Sequence, residues 1–272
     1  MNLGSSRCFD RQMEKKILFI GDIVGKPGRQ VLKNQLPGLV QRYGVDVVIA
    51  NGENAASGAG ITKSLAQEIH RAGVHGITLG DHVWDQKGFV DEIDDLENLS
   101  RPANLPSMCP GKPYLIVEKN GFRIGVITVL GHVFMKISAS SAMESLDHYL
   151  PKIKEQTDAI LVEVHAEATS EKVALGFYLD GKVSAVVGTH THIPTNDCRL
   201  LPNGTAYQTD AGMTGPYDSV LGREVQPIVD KMRDGIPRRF PVATDNVQLR
   251  GCLITIKEDG LARTIEPIRA IL

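Results

Sequence analysis

Five short polar clusters each close a hydrophobic run: Gly21-Asp22, Asn51-Gly52-Glu53-Asn54, Gly80-Asp81-His82, His165, and Gly188-Thr189-His190-Thr191-His192. A mixture of carboxylate, amide and imidazole donors favours iron, manganese or zinc over magnesium alone or a thiolate-bound metal. Glu53 offers two oxygens, enough to bridge two cations about 3.5–4 Å apart. Asn54 adds a neutral carbonyl oxygen. Asp22 and Asp81 are further candidate ligands, and His82 can move a proton near neutral pH. His190 and His192 stand at i and i+2. In extended backbone such residues point to one side, so both imidazoles would face a common site. Each cluster alone has a plainer reading as a helix cap, an Asx turn or a satisfied structural histidine. Together, at the ends of strands, they are what a two-metal hydrolytic site needs. A P-loop is rejected for Gly21 to Lys26, because the spacing is one residue short and Pro27 stands where Ser or Thr would ligate magnesium.

The preceding runs must position these groups. Residues 16–20 (KILFI) read as a buried strand, followed by a helix to about Tyr43 that opens at Pro27 and is interrupted near Pro37-Gly38. Strand 46–50, helix 62–72 opened by Thr62, and strand 76–79 complete an order that predicts a parallel, doubly wound sheet. Such sheets place ligands beyond the carboxyl ends of their strands. Residues 85–96 carry five Asp or Glu and read as a solvated helix, and four prolines between 102 and 113 mark an irregular connection. Runs 114–118 and 122–130 join across Asn120-Gly121, a hairpin signal. Helix 141–156, strand 158–164, helix 169–180 and strand 183–188 follow, with strand-like runs at 197–201, 205–209, 249–257 and 262–268. The layout predicts an α/β protein of two mixed sheets packed together with helices outside. It occupies residues 16–272, and 1–15 form a frayed extension in which Met13 is an alternative start.

Bulk properties narrow the partners. Lys plus Arg is 30 and Asp plus Glu 32, so the net charge of −2 disfavours a polynucleotide but not a single nucleotide. No run approaches the roughly 18 apolar residues of a membrane span. The four cysteines, 8, 109, 198 and 252, form no close pair, which fits a reducing cytoplasm. Homo-oligomerisation is left open. Histidines 70, 75, 132 and 148 fall outside the cluster pattern.

In order, GD (21–22), NGEN (51–54), GDH (80–82), H (165) and GTHTH (188–192) resemble the calcineurin-like metallophosphoesterases. Longer segments are similar to a bacterial branch of 2′,3′-cyclic-nucleotide phosphodiesterases: GDIVGKPGR (21–29), NGENAASGAGIT (51–62), RPAN (101–104), HAEATSEK (165–172), GTHTHIPT (188–195) and TDAGMTGPYDSVLG (209–222). The resemblance implies a four-layer αββα sandwich and two metal ions, iron or manganese with zinc as the alternative. Asp22, Glu53, Asn54 and His192 would hold the first, and Glu53, Asp81, His165 and His190 the second, with Glu53 bridging. His82 would assist leaving-group protonation. Asp81 stands where the family usually has Asn; its extra charge should strengthen metal binding and weaken the metals' electrophilicity. The implied substrate is a small phosphoester, above all a cyclic nucleotide. The alternatives are a phosphomonoesterase or nucleotidase on the same site, or a low-activity nucleotide-binding regulatory protein. Gly58, Gly60, Thr214, Tyr217 and Ser219 would border the substrate.

Overall fold

The structure, a computed structural model, describes residues 14–272, so the expected alternative start at Met13 lies outside the described residues. The elements begin with β1 (Lys15–Ile20), one residue earlier than expected, then β2 (Asp22–Ile23), α1 (Gly25–Tyr43), β3 (Val47–Asn51), α2 (Lys63–Arg71) and β4 (Gly76–Thr78). Next come α3 (Phe89–Glu92), β5 (Leu99–Ser100), β6 (Tyr114–Lys119), β7 (Phe122–Leu130), α4 (Ala142–Lys154), β8 (Ala159–His165), α5 (Thr169–Leu179) and β9 (Ala185–Thr189). The last third holds β10 (Arg199–Leu200), β11 (Ala206–Gln208), β12 (Met213–Pro216), α6 (Val225–Asp234), β13 (Val247–Ile256) and β14 (Ala262–Ile271).

One sheet has the order β2-β12-β13-β1-β3-β4-β5, with β14 paired to β13; the other runs β10-β11-β9-β8-β7-β6. Both are mixed, as expected. β1, β3 and β4 are mutually parallel, as are β7, β8 and β9, whereas β13 lies antiparallel to β1 and β6 to β7. The apolar runs are continuous because both faces of these central strands are covered. Leu18, Ile20, Val48 and Ala50 pack in the core with Leu32, Leu36 and Ile69 of the helices, while the alternate residues Ile17, Phe19, Val47 and Ile49 meet Val126, Leu161 and Val187 of the second sheet. A third core puts Ile127, Val162, Val164 and Val186 against Leu146, Leu175 and Leu179 of α4 and α5. Two sheets between two helical layers are the expected αββα sandwich. Each buried Ile, Leu or Val contributes about 1.5–3 kcal/mol relative to exposure.

Several local expectations are corrected. Helix α1 runs unbroken through Pro37. Pro37 and Lys33 lie on the exposed face, so the carbonyl deprived of its donor meets water, while buried Leu36 and Leu39 hold the helix down. The acidic segment 85–96 contains only the single turn α3 and a short 3₁₀ turn at Ile93–Asp95, because Gly88 takes φ 83° and restarts the chain. Run 197–201 pairs over two residues only. Elements β12 and α6 had no expectation. Asn120 and Gly121 do adopt φ 50° and 77°, the left-handed pair that a tight hairpin requires.

Candidate metal centre

The carboxyl ends of both parallel sets meet at one place. Glu53, Asp81, His165 and His190 each present a donor atom, and these four atoms lie within 4.8 Å of one another. His165 Nε2 is 3.1 Å from Glu53 Oε1 and 2.9 Å from Asp81 Oδ1, and His190 Nδ1 is 3.2 Å from the same Asp81 oxygen. Burial alone would raise the Asp81 carboxyl, but hydrogen bonds from His165 and His190 outweigh it and hold the group well below the usual carboxylate range. Glu53 is also buried, and the charge of His165 lowers it despite desolvation. Burial would lower His165, yet the facing carboxylates raise it well above the ordinary histidine value. The cluster is a charged set that repels itself except where imidazolium compensates.

Asp22, Asn54 and His192 stand beside it. Asn54 Nδ2 lies 3.1 Å from Glu53 Oε1 and 3.3 Å from His192 Nε2. His192 Nδ1 donates to the Leu221 carbonyl at 3.1 Å, which leaves Nε2 as the acceptor atom of the neutral ring, turned to Asn54 and 4.0 Å from Asp22 Oδ1. Asp22 is fully buried, and its Oδ1 accepts no hydrogen bond. Desolvation, with the neighbouring carboxylates Glu53, Asp210 and Glu163, raises its pKa to about 7 against the opposing charge of His165. A buried carboxyl with an orphaned oxygen in a ring of acceptors needs a cation. All seven expected ligands are therefore together, four in a tight group and three adjoining it. Their O and N donors fit the borderline and hard divalent ions that a two-metal site takes.

His82 sits at the rim. Its backbone N–H donates to Glu53 Oε2 at 3.2 Å, and its ring Nδ1 faces Asp85 Oδ2 at 2.7 Å. Burial would lower its pKa, but Glu53, Asp81 and Asp85 together raise it. The local reason for Gly80 is steric. A Cβ there would fall 2.3 Å from both Glu53 Oε2 and His165 Nε2. Gly80→Ala is accordingly expected to leave the fold intact but cut turnover by on the order of 10²-fold through displaced ligands. Elemental analysis and activity beside a far-UV spectrum check it; normal metal content would refute it.

Residues 190–192 are not extended. β9 ends at Thr189, and His190 and His192 take φ 93° and 66°. Both imidazoles reach the site because the backbone turns at each one, not because a strand aligns them. Left-handed backbone at a non-glycine residue costs of order 1–3 kcal/mol and persists where surrounding contacts impose it. Here Asp210 does so: its Oδ2 accepts from Thr191 N (3.2 Å), Thr191 Oγ1 (2.7 Å) and Lys172 Nζ (2.7 Å), and its Oδ1 from Gly212 N (2.8 Å). The suggested substrate hydroxyls are otherwise engaged, since Thr214, Tyr217 and Ser219 donate to the carbonyls of Arg250, Met213 and Pro216. Sequence reading missed Asp85, Glu163, Asp210, Lys172 and also Glu167, whose carboxylate lies 3.1 Å from His190 Nε2. A carboxylate inside the apolar run 159–164 was the available signal for Glu163.

A two-sheet sandwich with carboxylates, an amide and imidazoles gathered at its strand ends is the arrangement that the resemblance to the calcineurin-like metallophosphoesterases implies. Residues 18–268 match the YmdB-like protein family, to which this chain belongs. It is 45% identical over 243 residues to the 2′,3′-cyclic-nucleotide 2′-phosphodiesterase of Bacillus subtilis (strain 168), covering 89% of this chain and 92% of that protein. A hypothetical protein from Thermus thermophilus superposes with TM-score 0.87 at 41% identity, over 94% of this chain and 99% of its own. A phosphatase from Mycoplasma pneumoniae does so with TM-score 0.89 at 33% identity, over 96% and 94%.

Proposed function

We propose that this chain is a metal-dependent phosphodiesterase that hydrolyses small phosphoesters, with 2′,3′-cyclic nucleotides as its substrates. The observation that carries the reading is the convergence of Glu53, Asp81, His165 and His190 on one point. The name of the Bacillus subtilis relative supports the substrate class. Asp22, Glu53, Asn54 and His192 would hold one ion, and Glu53, Asp81, His165 and His190 the other; the mixed donors suit iron, manganese or zinc, and the family resemblance puts iron or manganese first. When bound, the ions supply Lewis acidity, neutralising phosphoryl charge and acidifying the attacking water.

The chain's own groups do the rest. Asp85 takes up one side of the His82 ring, and the carboxylates around it favour the imidazolium. That imidazolium gives its proton to the departing alkoxide as the phosphoester bond breaks. Asp22 and Glu53 are buried in the floor of the site, where their carboxyl oxygens would be available to the ions. No helix among the described residues is long and apolar enough to cross a membrane. We take the enzyme to work in the cytoplasm, with a homo-oligomer allowed, and a polynucleotide substrate is disfavoured by the balanced charge.

Elemental analysis of purified protein, then hydrolysis of a 2′,3′-cyclic nucleotide beside an aryl phosphate monoester, tests the reading. Chelation is expected to abolish turnover and manganese to restore it, with the cyclic diester preferred. Preference for the monoester would turn the reading to a nucleotidase. Full turnover in metal-free protein would end it.

A further inference from the structure

Glu163 takes no part in the chemistry above, yet its placement is singular. On β8 the side chains facing the other sheet are Leu161, then Glu163, then His165, by strand alternation. The same alternation brings Thr128 after Ile124 and Val126 on β7, Thr189 after Ala185 and Val187 on β9, and Asn51 after Val47 and Ile49 on β3. Four strands thus turn from apolar to polar at one level of the inter-sheet core, directly beneath the metal centre. Thr128 lies across from Glu163, and Thr189 across from His165, in the parallel register.

Glu163 is the hub of this layer. Its side chain is fully buried. Oε1 accepts from Asn51 Nδ2 and from Thr189 Oγ1, each at 2.7 Å, and Oε2 accepts from Thr128 Oγ1 at 2.9 Å. A buried carboxylate is tolerated only when such donors satisfy it. The Thr189 hydroxyl has a single proton, and it is spent on Glu163 Oε1. The Thr189 oxygen then has to accept from His165 Nδ1, 2.9 Å away. Nδ1 therefore keeps its proton, and the proton of the metal-free imidazolium that must leave for a metal to bind is the one on Nε2, the atom turned toward Glu53 and Asp81. The other arm runs through Asn51, whose Oδ1 accepts from the Glu53 backbone N–H at 3.0 Å. One carboxylate thereby orients two ligands of the same cluster.

We infer that Glu163 is a positioning residue, which through Thr189 fixes the ligating tautomer of His165 and through Asn51 the placement of Glu53. The inference rests on the metal-dependent reading of the site. Its consequence is that metal affinity depends on a buried carboxyl group that touches no metal. Groups one step behind a metal ligand typically change metal affinity by about 10–100-fold when altered.

Three variants separate charge, relay and shape. Glu163→Gln keeps the outline, since its oxygen can accept from Asn51 and Thr189 while the Thr128 hydroxyl turns to accept from the new amide. Thr189→Val removes the relay hydroxyl without loss of volume, and Thr189→Ser restores it. Dissociation constants for Mn²⁺ and Zn²⁺, measured by chelator competition on metal-free protein, are expected to rise roughly 10–100-fold in Thr189→Val, whose hydroxyl touches the ligand directly, and by less in Glu163→Gln, which keeps both acceptor contacts one step further out. They should return toward the wild-type value in Thr189→Ser. Histidine ¹⁵N spectra of zinc-loaded protein should place the His165 proton on Nδ1 in wild type and Thr189→Ser. Should Glu163→Gln fail to fold, the Thr189 pair decides alone. Wild-type affinity in folded Thr189→Val would overturn the inference while leaving the enzyme reading in place. A wild-type protein that takes up neither metal would instead overturn the reading on which it rests.

Discussion

Glu53→Ala is expected to remove metal-dependent hydrolysis by at least about 10³-fold while the protein still folds. Glu53 is the side chain around which the site is arranged. One oxygen meets His165 Nε2 and Asn54 Nδ2, and the other accepts the N–H of His82. It is also the residue expected to belong to both ion sites, so alanine removes a ligand from each and unties the rim histidine. A 10³-fold loss corresponds to about 4 kcal/mol of barrier. Folding should suffer far less, because Glu53 is itself a buried carboxylate that raises the cost of ionising Asp22. Glu53→Gln should lose less activity, since its amide oxygen still donates to one ion. The check is kcat/KM on a cyclic diester with metal content and a melting curve on the same preparations. Retained turnover at normal metal content would mean that the chemistry lies elsewhere.

This asymmetry between site and fold runs through the sequence as well. The strands and the clusters that follow them were legible because each strand is apolar on both faces and stops where a polar group must reach the site. β3 and its Asn51-to-Asn54 turn are the clearest case, with five buried residues followed, after Gly52, by the candidate ligands Glu53 and Asn54. The conformation of the His190 segment was not legible. Nothing in Thr-His-Thr-His-Ile announces positive φ; it is imposed by Asp210, about twenty residues downstream and held by Lys172 of α5. Helix α6 is a different case: Val225, Ile228, Val229 and Met232 stand at helical spacing, a signal the sequence reading passed over, although none of the helix's residues is buried. Glu163 was hidden by the apolar run around it. Periodicity reports which face a residue takes, whereas a buried carboxylate's partners come from three other strands.

Lys172→Met is the substitution expected to cost the most stability, roughly 3–5 kcal/mol by urea unfolding of the metal-free protein. Lys172 is 1% exposed, and its ammonium meets Asp210, equally enclosed, at 2.7 Å. Taking the ammonium away leaves the Asp210 carboxyl group buried without its cationic partner, with only the neutral donors Thr191 and Gly212 to hold it. Methionine fills the lysine stem's space, so little of the loss should come from packing. The charge argument makes a second expectation that a packing argument does not. Adding Asp210→Asn to Lys172→Met should recover most of the loss, because the amide is neutral and its oxygen can still accept from the Thr191 amide and hydroxyl. That recovery separates the two roles of Asp210. Stability needs its charge only because Lys172 is there, while the left-handed turns at His190 and His192 need its acceptor oxygens. A double variant that stays as unstable as Lys172→Met would assign the cost to the lysine's packing and remove the ion pair from the account.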